Sequence, residues 1–200
     1  MTAAQERTPA THLLLVEDDR LVLATLVSGL AAAGYSVTTA ESSEDAEAWL
    51  AGGQRPTLAI VDLRLPGQGG LHLAMRLQAL DHIPFMVFSA HGDAASIDEA
   101  ARLGALGYAV KPMGMVQLIA AIETALRRAE ELNALRETRQ RLQRALDGER
   151  DISIATGILM GRRGLTRAEA FALLRGRARG ERRKLAELAA ELIAGGVTGM

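Results

Sequence analysis

The chain contains no cysteine, so disulfide bonds and thiolate metal sites are excluded. Aromatic residues are scarce, at 3% of 200 residues, whereas apolar residues make up 48%. This composition favours helices packed on an aliphatic core over an all-β sandwich. No apolar run reaches the roughly 18 residues that a membrane span needs, and the first twelve residues lack the apolar centre of a signal peptide. We therefore predict a cytoplasmic protein with no membrane segment.

Charge is distributed unequally along the chain, although the net charge is only −1. Residues 1–126 contain 7 Lys or Arg against 14 Asp or Glu, a balance of −7. Residues 127–200 contain 16 against 10, a balance of +6. This asymmetry indicates two modules with different partners, because an acidic half suits a cation and a basic half suits a polyanion.

Short apolar segments alternate with helix-like segments in the first half of the chain. They lie at 12–16, 58–61, 85–88 and 108–110, with a weaker alternating segment at 35–40. Buried parallel strands are continuously apolar, since helices cover both faces of the sheet. The pattern therefore predicts an α/β fold with a doubly wound, five-stranded parallel sheet.

After Pro112 the pattern is helical only. Apolar residues recur at steps of three and four from 118 to 132, and the stripe continues through Leu135, Leu142 and Leu146 with Arg139 in one heptad position. This spacing predicts a long connector helix with a coiled-coil seam over 118–150, with Gly148 as a weak point. The seam indicates self-association; the alternative is a helix that packs on its own domain and is solvated later.

The last fifty residues predict a small three-helix bundle. A helical run covers 151–163, and Thr166 with Glu169 fits a capping box that opens a second helix. Gly180 ends this helix, and a third follows with apolar residues from 185 to 193.

Polar residues follow the predicted strands at their carboxyl ends. Glu17 and Asp18 follow the first strand, Asp62 the third, Ser89 the fourth and Lys111 the fifth. In an open parallel sheet these ends meet at one rim, where ligands bind. Clustered carboxylates there suit Mg²⁺. Asp62 is then placed to attack phosphorus, and Lys111 to neutralise charge on the phosphoryl oxygens.

Each of these residues also has a purely structural interpretation. An aspartate after a strand often caps a turn or helix, and Asp19 is predicted to be a helix N-cap rather than a ligand. Ser89 by itself is uninformative, and Lys111 before Pro112 is a common loop pair. The order of the whole set carries the functional prediction.

The segments LLLVEDD, AIVDLRLPGQGG, MVFSAHGD and GYAVKP together resemble the receiver domain of bacterial two-component response regulators, over residues 11–127. The resemblance implies a flavodoxin-like fold and a sensor histidine kinase as partner. It implies a phosphoacceptor at Asp62, Mg²⁺ ligands at Glu17, Asp18, Asp62 and the backbone carbonyl of Arg64, a phosphate-contacting lysine at Lys111, switch residues at Ser89 and Tyr108, and a cis peptide bond before Pro112.

The C-terminal segment is rich in arginine. Residues 151–184 contain nine Lys or Arg against three Asp or Glu, and eight of the nine are arginine. Guanidinium groups suit phosphate and stack on bases, and small residues such as Ala155 and Gly157 allow close approach. Composition does not separate RNA from DNA, and a solvated arginine-rich helix face is the alternative.

The stretch from ISIATGILMGRRGLTRAEAF to RRKLAELAAELI resembles an ANTAR domain, an RNA-binding antitermination module, over residues 135–195. The resemblance implies binding to paired RNA hairpins in a nascent leader, usually by a dimer. Candidate RNA contacts are Ala155, Thr156, Gly157, Arg162, Arg163, Arg182, Arg183 and Lys184. Thr156 departs from the family pattern, which usually has a lysine or a related basic residue there.

Together these patterns predict a response regulator with a receiver at 11–127, a connector at 118–150 and an ANTAR domain at 135–195. Phosphorylation of Asp62 is expected to favour a homodimer through the connector and so suppress transcription termination. We expect no enzymatic activity beyond self-phosphorylation and slow autodephosphorylation. The alternatives are a regulator that binds DNA, a bundle that binds a protein partner, and a phosphotransfer intermediate without a nucleic-acid target.

Overall fold

The computed structural model describes residues 11–67 and 69–198. Contacts divide the chain between Leu132 and Asn133 into two compact units, here called the N-terminal and C-terminal units. Among the helices of the described residues, none has both the length and the apolar character that a membrane crossing requires.

The N-terminal unit contains the predicted five-stranded sheet. Its strands are β1 (His12–Val16), β2 (Ser36–Ala40), β3 (Leu58–Val61), β4 (Phe85–Ser89) and β5 (Tyr108–Val110). All pairings are parallel and the strand order is β2-β1-β3-β4-β5. The α/β prediction is therefore confirmed, including the weakly patterned second strand.

Helices connect successive strands. They are α1 (Arg20–Ala32), α2 (Ser43–Ala51), α3 (Gly69–Arg76) and α4 (Ala94–Arg102), and a π-helical turn at Leu77–Asp81 extends α3. Asp19 is the N-cap of α1, as predicted, because its carboxylate accepts a hydrogen bond from the backbone N–H of Leu21 at 2.8 Å.

The core of this unit has two layers, one on each face of the sheet. Alternate residues of β1 point to opposite faces, so that Leu14 joins one layer and Leu13 and Leu15 join the other. The start of the following helix completes the second layer with the buried residues Leu118 and Ile122. Both faces are therefore covered, which explains why β3 is apolar throughout and β1 and β4 are nearly so.

A single helix, α5, runs from Met115 to Arg163. The helix continues without interruption through Gly148, the residue at which the sequence predicts a weak point. A β-carbon at this position would lie 3.0 Å from the β-carbon of Ala186, so glycine permits close packing between α5 and the last helix. This close contact explains why a glycine occurs at a position where the helix does not end.

The C-terminal unit packs the end of α5 against α6 (Arg167–Gly180) and α7 (Leu185–Thr198). Its core consists of Ala155, Leu159, Ala170, Leu174, Ala178, Leu188 and Ala189. The predicted capping box at the start of α6 is present, with Thr166 and Glu169 hydrogen-bonded in both directions. The three-helix arrangement is therefore confirmed.

Candidate functional sites

Asp62 lies at the carboxyl end of β3, where it is only 6% exposed. Its Oδ1 accepts hydrogen bonds from the Ser89 hydroxyl at 2.8 Å and from the backbone N–H of Arg64 at 2.9 Å. Its Oδ2 accepts one from the Lys111 ammonium at 2.5 Å. The structure thus brings together side chains from the ends of β3, β4 and β5, as the sequence predicted.

Glu17 and Asp18, after β1, complete the acidic rim. Glu17 is buried and accepts a hydrogen bond from the Lys111 ammonium, whereas Asp18 is exposed. One carboxylate oxygen from each of Glu17, Asp18 and Asp62 lies within 4.8 Å of the other two. This all-oxygen set, open to water at Asp18, fits Mg²⁺, which uses one or two carboxylates and keeps several waters.

Burial and hydrogen bonding act in opposite directions on these groups. Burial raises the pKa of the Glu17 carboxyl, and the hydrogen bond from Lys111 offsets this only in part. Burial would also raise the pKa of Asp62, but the bonds from Arg64, Lys111 and Ser89 outweigh it and lower that pKa. Asp62 is therefore ionised at neutral pH, as a nucleophile must be.

The two predicted switch residues make different contacts: Ser89 binds Asp62 directly, and Tyr108 binds the loop that follows β4. Ser89 is fully buried and bonded to Asp62. The Tyr108 hydroxyl donates a hydrogen bond to the backbone carbonyl of His91 at 2.6 Å, in the loop after β4. A change in the bonding of Ser89 would therefore act on the same loop that the tyrosine holds.

Gly70 is a residue of the site that the sequence reasoning did not identify. A β-carbon at Gly70 would lie 1.9 Å from the backbone carbonyl oxygen of Asp62, so only glycine fits. The signal was the Gly69–Gly70 pair shortly after Asp62, where α3 begins against the end of β3.

The predicted RNA contacts in the C-terminal unit occupy three kinds of environment. Arg162 and Arg163 are exposed at the end of α5 and line a cavity of about 380 Å³. Arg183 forms ion pairs with Glu191 at 2.5 Å and with Glu181 at 3.6 Å. Surface pairs of this kind are weak, so a phosphate group competes with them readily.

The remaining basic candidates lie between α6 and α7. Arg182 is exposed and adopts a positive φ of 53°, and exposed Lys184 pairs loosely with Glu187 at 3.8 Å. These basic side chains face water, as a phosphate-binding surface requires.

The structure places Ala155 and Thr156 inside the bundle, contrary to the expectation of a contact surface. Ala155 is fully buried in the core, and Thr156 is 4% exposed. The Thr156 hydroxyl donates a hydrogen bond to the backbone carbonyl of Ile152 at 2.7 Å. Only Gly157 of this small-residue segment is exposed. Ala155 and Thr156 therefore pack within the bundle, whereas Gly157 does not.

Comparison with known proteins agrees with both units. The family model of the response regulator receiver domain matches residues 13–123, and the model of the ANTAR domain matches residues 140–193. The chain therefore belongs to the response regulator receiver family, and an ANTAR domain follows its receiver.

Two relatives of this chain are transcriptional regulatory proteins. The transcriptional regulatory protein PdtaR of Mycobacterium tuberculosis is 29% identical over 182 residues, which is 91% of this chain and 88% of PdtaR. The transcriptional regulatory protein AfsQ1 of Streptomyces coelicolor is 36% identical over 118 residues, 59% of this chain and 52% of AfsQ1.

A solved structure supports the receiver fold. It is the N-terminal domain of a response regulator/sensory box/GGDEF 3-domain protein from Carboxydothermus hydrogenoformans, which superposes with a TM-score of 0.56 at 30% identity. The match covers 60% of this chain and 97% of that one.

Proposed function

We propose that this chain is a phosphorylation-controlled regulator that binds RNA hairpins in nascent leader transcripts and prevents transcription termination. The observation that carries the proposal is the buried Asp62, hydrogen-bonded to Lys111 and Ser89, in a chain whose C-terminal unit matches the ANTAR family.

The first step is transfer of a phosphoryl group from a phosphohistidine of a sensor kinase. A carboxylate oxygen of Asp62 forms a bond to phosphorus as the nitrogen–phosphorus bond of the donor breaks. Glu17, Asp18, Asp62 and the backbone carbonyl of Arg64 would hold Mg²⁺, which supplies positive charge for the phosphoryl oxygens when bound. The Lys111 ammonium, already bonded to Asp62, contributes a second positive charge.

The switch follows from the bonds that phosphorylation replaces. The Ser89 hydroxyl, now on Asp62, would donate to a phosphoryl oxygen, and Tyr108 would leave the His91 carbonyl and fill the vacated space. The surface around the end of β4, the His91 loop and β5 would then have two alternative packings. The phosphoryl group would favour one of them. Slow hydrolysis of the acyl phosphate would reset it.

The connector carries the signal by dimerisation. Leu135, Leu142 and Leu146 of α5 are 66%, 62% and 61% exposed in the single chain, at heptad spacing. Burying such a stripe favours a coiled coil with a second copy. A dimer presents two basic units to one transcript, which strengthens binding to tandem hairpins through avidity.

The phosphoacceptor proposal is tested with acetyl phosphate and Mg²⁺, followed by intact-protein mass spectrometry. The wild-type chain is expected to gain one phosphoryl group, and Asp62→Asn none. Asp98→Asn, at an exposed aspartate of α4, is the matched control and is expected to label normally. Labelling of Asp62→Asn to the wild-type extent would refute the assignment.

The RNA proposal is tested by gel shift with RNA and DNA hairpins of matched sequence. We expect preference for RNA and a steep loss of affinity as salt rises, since arginine–phosphate contacts release counterions. Equal or tighter binding of DNA would make the chain a DNA-binding regulator. Binding to neither would favour a protein partner for the C-terminal unit.

A further inference from the structure

A cavity of about 660 Å³ opens in the C-terminal unit between α5, α6 and the start of α7. Ile152, Phe171 and Leu185 form much of its apolar wall, and Thr156, Glu149 and Arg167 contribute polar groups. Its size falls in the range of small-ligand sites, which are mainly apolar with a few polar groups. We call it the Phe171 cavity.

Phe171 is the only aromatic residue in the sequence from 133 to 200. It is 38% exposed, whereas the smaller apolar residues Ala170 and Leu174 of the same helix are buried in the core. The guanidinium carbon of Arg175 lies 5.9 Å from the centre of its ring. An aromatic ring beside a guanidinium at a cavity edge is the combination on which unpaired bases stack.

Thr156 gives the cavity a fixed hydrogen-bonding group. Its hydroxyl proton is used by the backbone carbonyl of Ile152, so the oxygen presents its lone pairs as an acceptor. The carboxylate of Glu149 is a second acceptor in the lining. These groups complement the amino groups of a base, which a purely apolar ligand lacks.

The charges at the cavity complement a nucleic-acid strand. Arg167 lines the cavity and the guanidinium of Arg175 lies close to the Phe171 ring, so two cations are available for the phosphates that flank an inserted base. The surrounding segment 151–184 has nine basic residues against three acidic ones. The side chains of an apolar partner helix would offer no anion to these charges, whereas every nucleotide carries one.

We propose that the Phe171 cavity takes one unpaired base from an RNA loop, which stacks on Phe171 while its flanking phosphates contact Arg167 and Arg175. This inference rests on the proposed RNA-binding function and specifies where a loop, rather than a stem, is recognised. Thr156 thus acts as part of a base-binding cavity instead of an exposed phosphate contact.

The test compares Phe171→Leu and Phe171→Tyr in the full-length chain. The probes are a synthetic RNA hairpin pool with a fixed stem and a randomised loop, and a fully paired duplex of the same stem. Phe171→Leu keeps an apolar side chain but removes the ring, so we expect affinity for the hairpin pool to fall about tenfold while duplex affinity is unchanged. Phe171→Tyr keeps the ring and is expected to bind the pool as the wild type does.

Direct contact is tested by photo-crosslinking a hairpin pool that carries 5-iodouridine in the loop. We expect the crosslinked peptide to contain Phe171, and crosslinks only at other peptides would overturn the proposal. This experiment uses the wild-type chain, so it decides the matter even if Phe171→Leu does not fold.

The other outcomes are distinguishable. If the wild type binds the pool and Phe171→Leu binds it equally well, or loses duplex binding to the same extent, the base site is wrong and the RNA function stands. If Phe171→Leu becomes monomeric in sedimentation where the wild type is dimeric, a second copy covers the cavity and the base site is wrong. If the wild type binds no hairpin, the RNA function and the base site fail together.

Discussion

Replacing Lys111 by methionine removes the single positive charge that two buried carboxylates share. The Lys111 ammonium bonds to Asp62 at 2.5 Å and also to Glu17, and the three side chains are 16%, 8% and 3% exposed, respectively. Leaving a buried charge without its partner costs about 3–5 kcal/mol. Because the lysine is partly exposed and a carboxyl can take up a proton, we expect the variant to lose about 2–3 kcal/mol in the absence of Mg²⁺.

The assay is thermal unfolding followed by circular dichroism in EDTA. A loss of this size is expected to lower the Tm of the N-terminal unit by about 8–10 °C. Arg20→Met is the matched control: Arg20 pairs with Glu41 at 2.8 Å, but the two side chains are 80% and 48% exposed. A surface pair of this kind contributes at most about 1 kcal/mol.

Added Mg²⁺ should restore more of the Tm in Lys111→Met than in the wild type, because the ion would supply the missing charge among the carboxylates. The reasoning is refuted if Lys111→Met unfolds no earlier than Arg20→Met. An equal response of variant and wild type to Mg²⁺ would refute the assignment of the carboxylates as the ion site.

Three further outcomes follow from particular contacts. Gly70→Ala should cost about 1–3 kcal/mol in urea unfolding and slow labelling by acetyl phosphate, because its β-carbon would lie 1.9 Å from the Asp62 carbonyl oxygen; unchanged stability would contradict this. Burial and the hydrogen bond to Glu123 raise the pKa of Tyr35 to about 12, so this stabilisation is complete below pH 10 and is lost as pH rises through 12; ultraviolet titration should show a lower pKa in Glu123→Gln, and no change would count against the bond. Leu142→Glu should give a monomer in sedimentation with little change in Tm, since this side chain is 62% exposed in the single chain, and a persistent dimer would exclude the connector seam.

The sheet and the acidic rim were predictable because both follow from local patterns. Continuous apolar runs such as those at 12–16 and 58–61 identify buried parallel strands, and parallel strands share one rim at their carboxyl ends. The positions of Asp62, Ser89 and Lys111 relative to the strand ends were therefore sufficient to predict that these side chains lie together.

Features that depend on contacts between distant residues were not predictable. Gly148 has a low helix propensity, yet α5 continues through it because Ala186 packs closely there. The burial of Ala155 and Thr156 depends on which face of α5 meets α6 and α7, and helical spacing alone does not determine that face. Likewise, Arg183 can pair with Glu191 only because α7 begins between them, and the spacing of the two residues does not predict where that helix begins.

The role of Gly70 shows a second kind of limit. Its fit against the Asp62 carbonyl is a matter of a few ångströms between the end of β3 and the start of α3. A sequence pattern shows that two glycines occur there, but only the backbone path shows which of them has no room for a side chain.

The central claim is that a phosphoryl group on Asp62 controls RNA binding by the C-terminal unit. The most direct measurement is the affinity of the hairpin pool for the full-length chain before and after treatment with acetyl phosphate and Mg²⁺, in the wild type and in Asp62→Asn. The account predicts tighter binding by the treated wild type and no response in Asp62→Asn. Equal affinity in all four samples, or an equal increase in the variant, would contradict it.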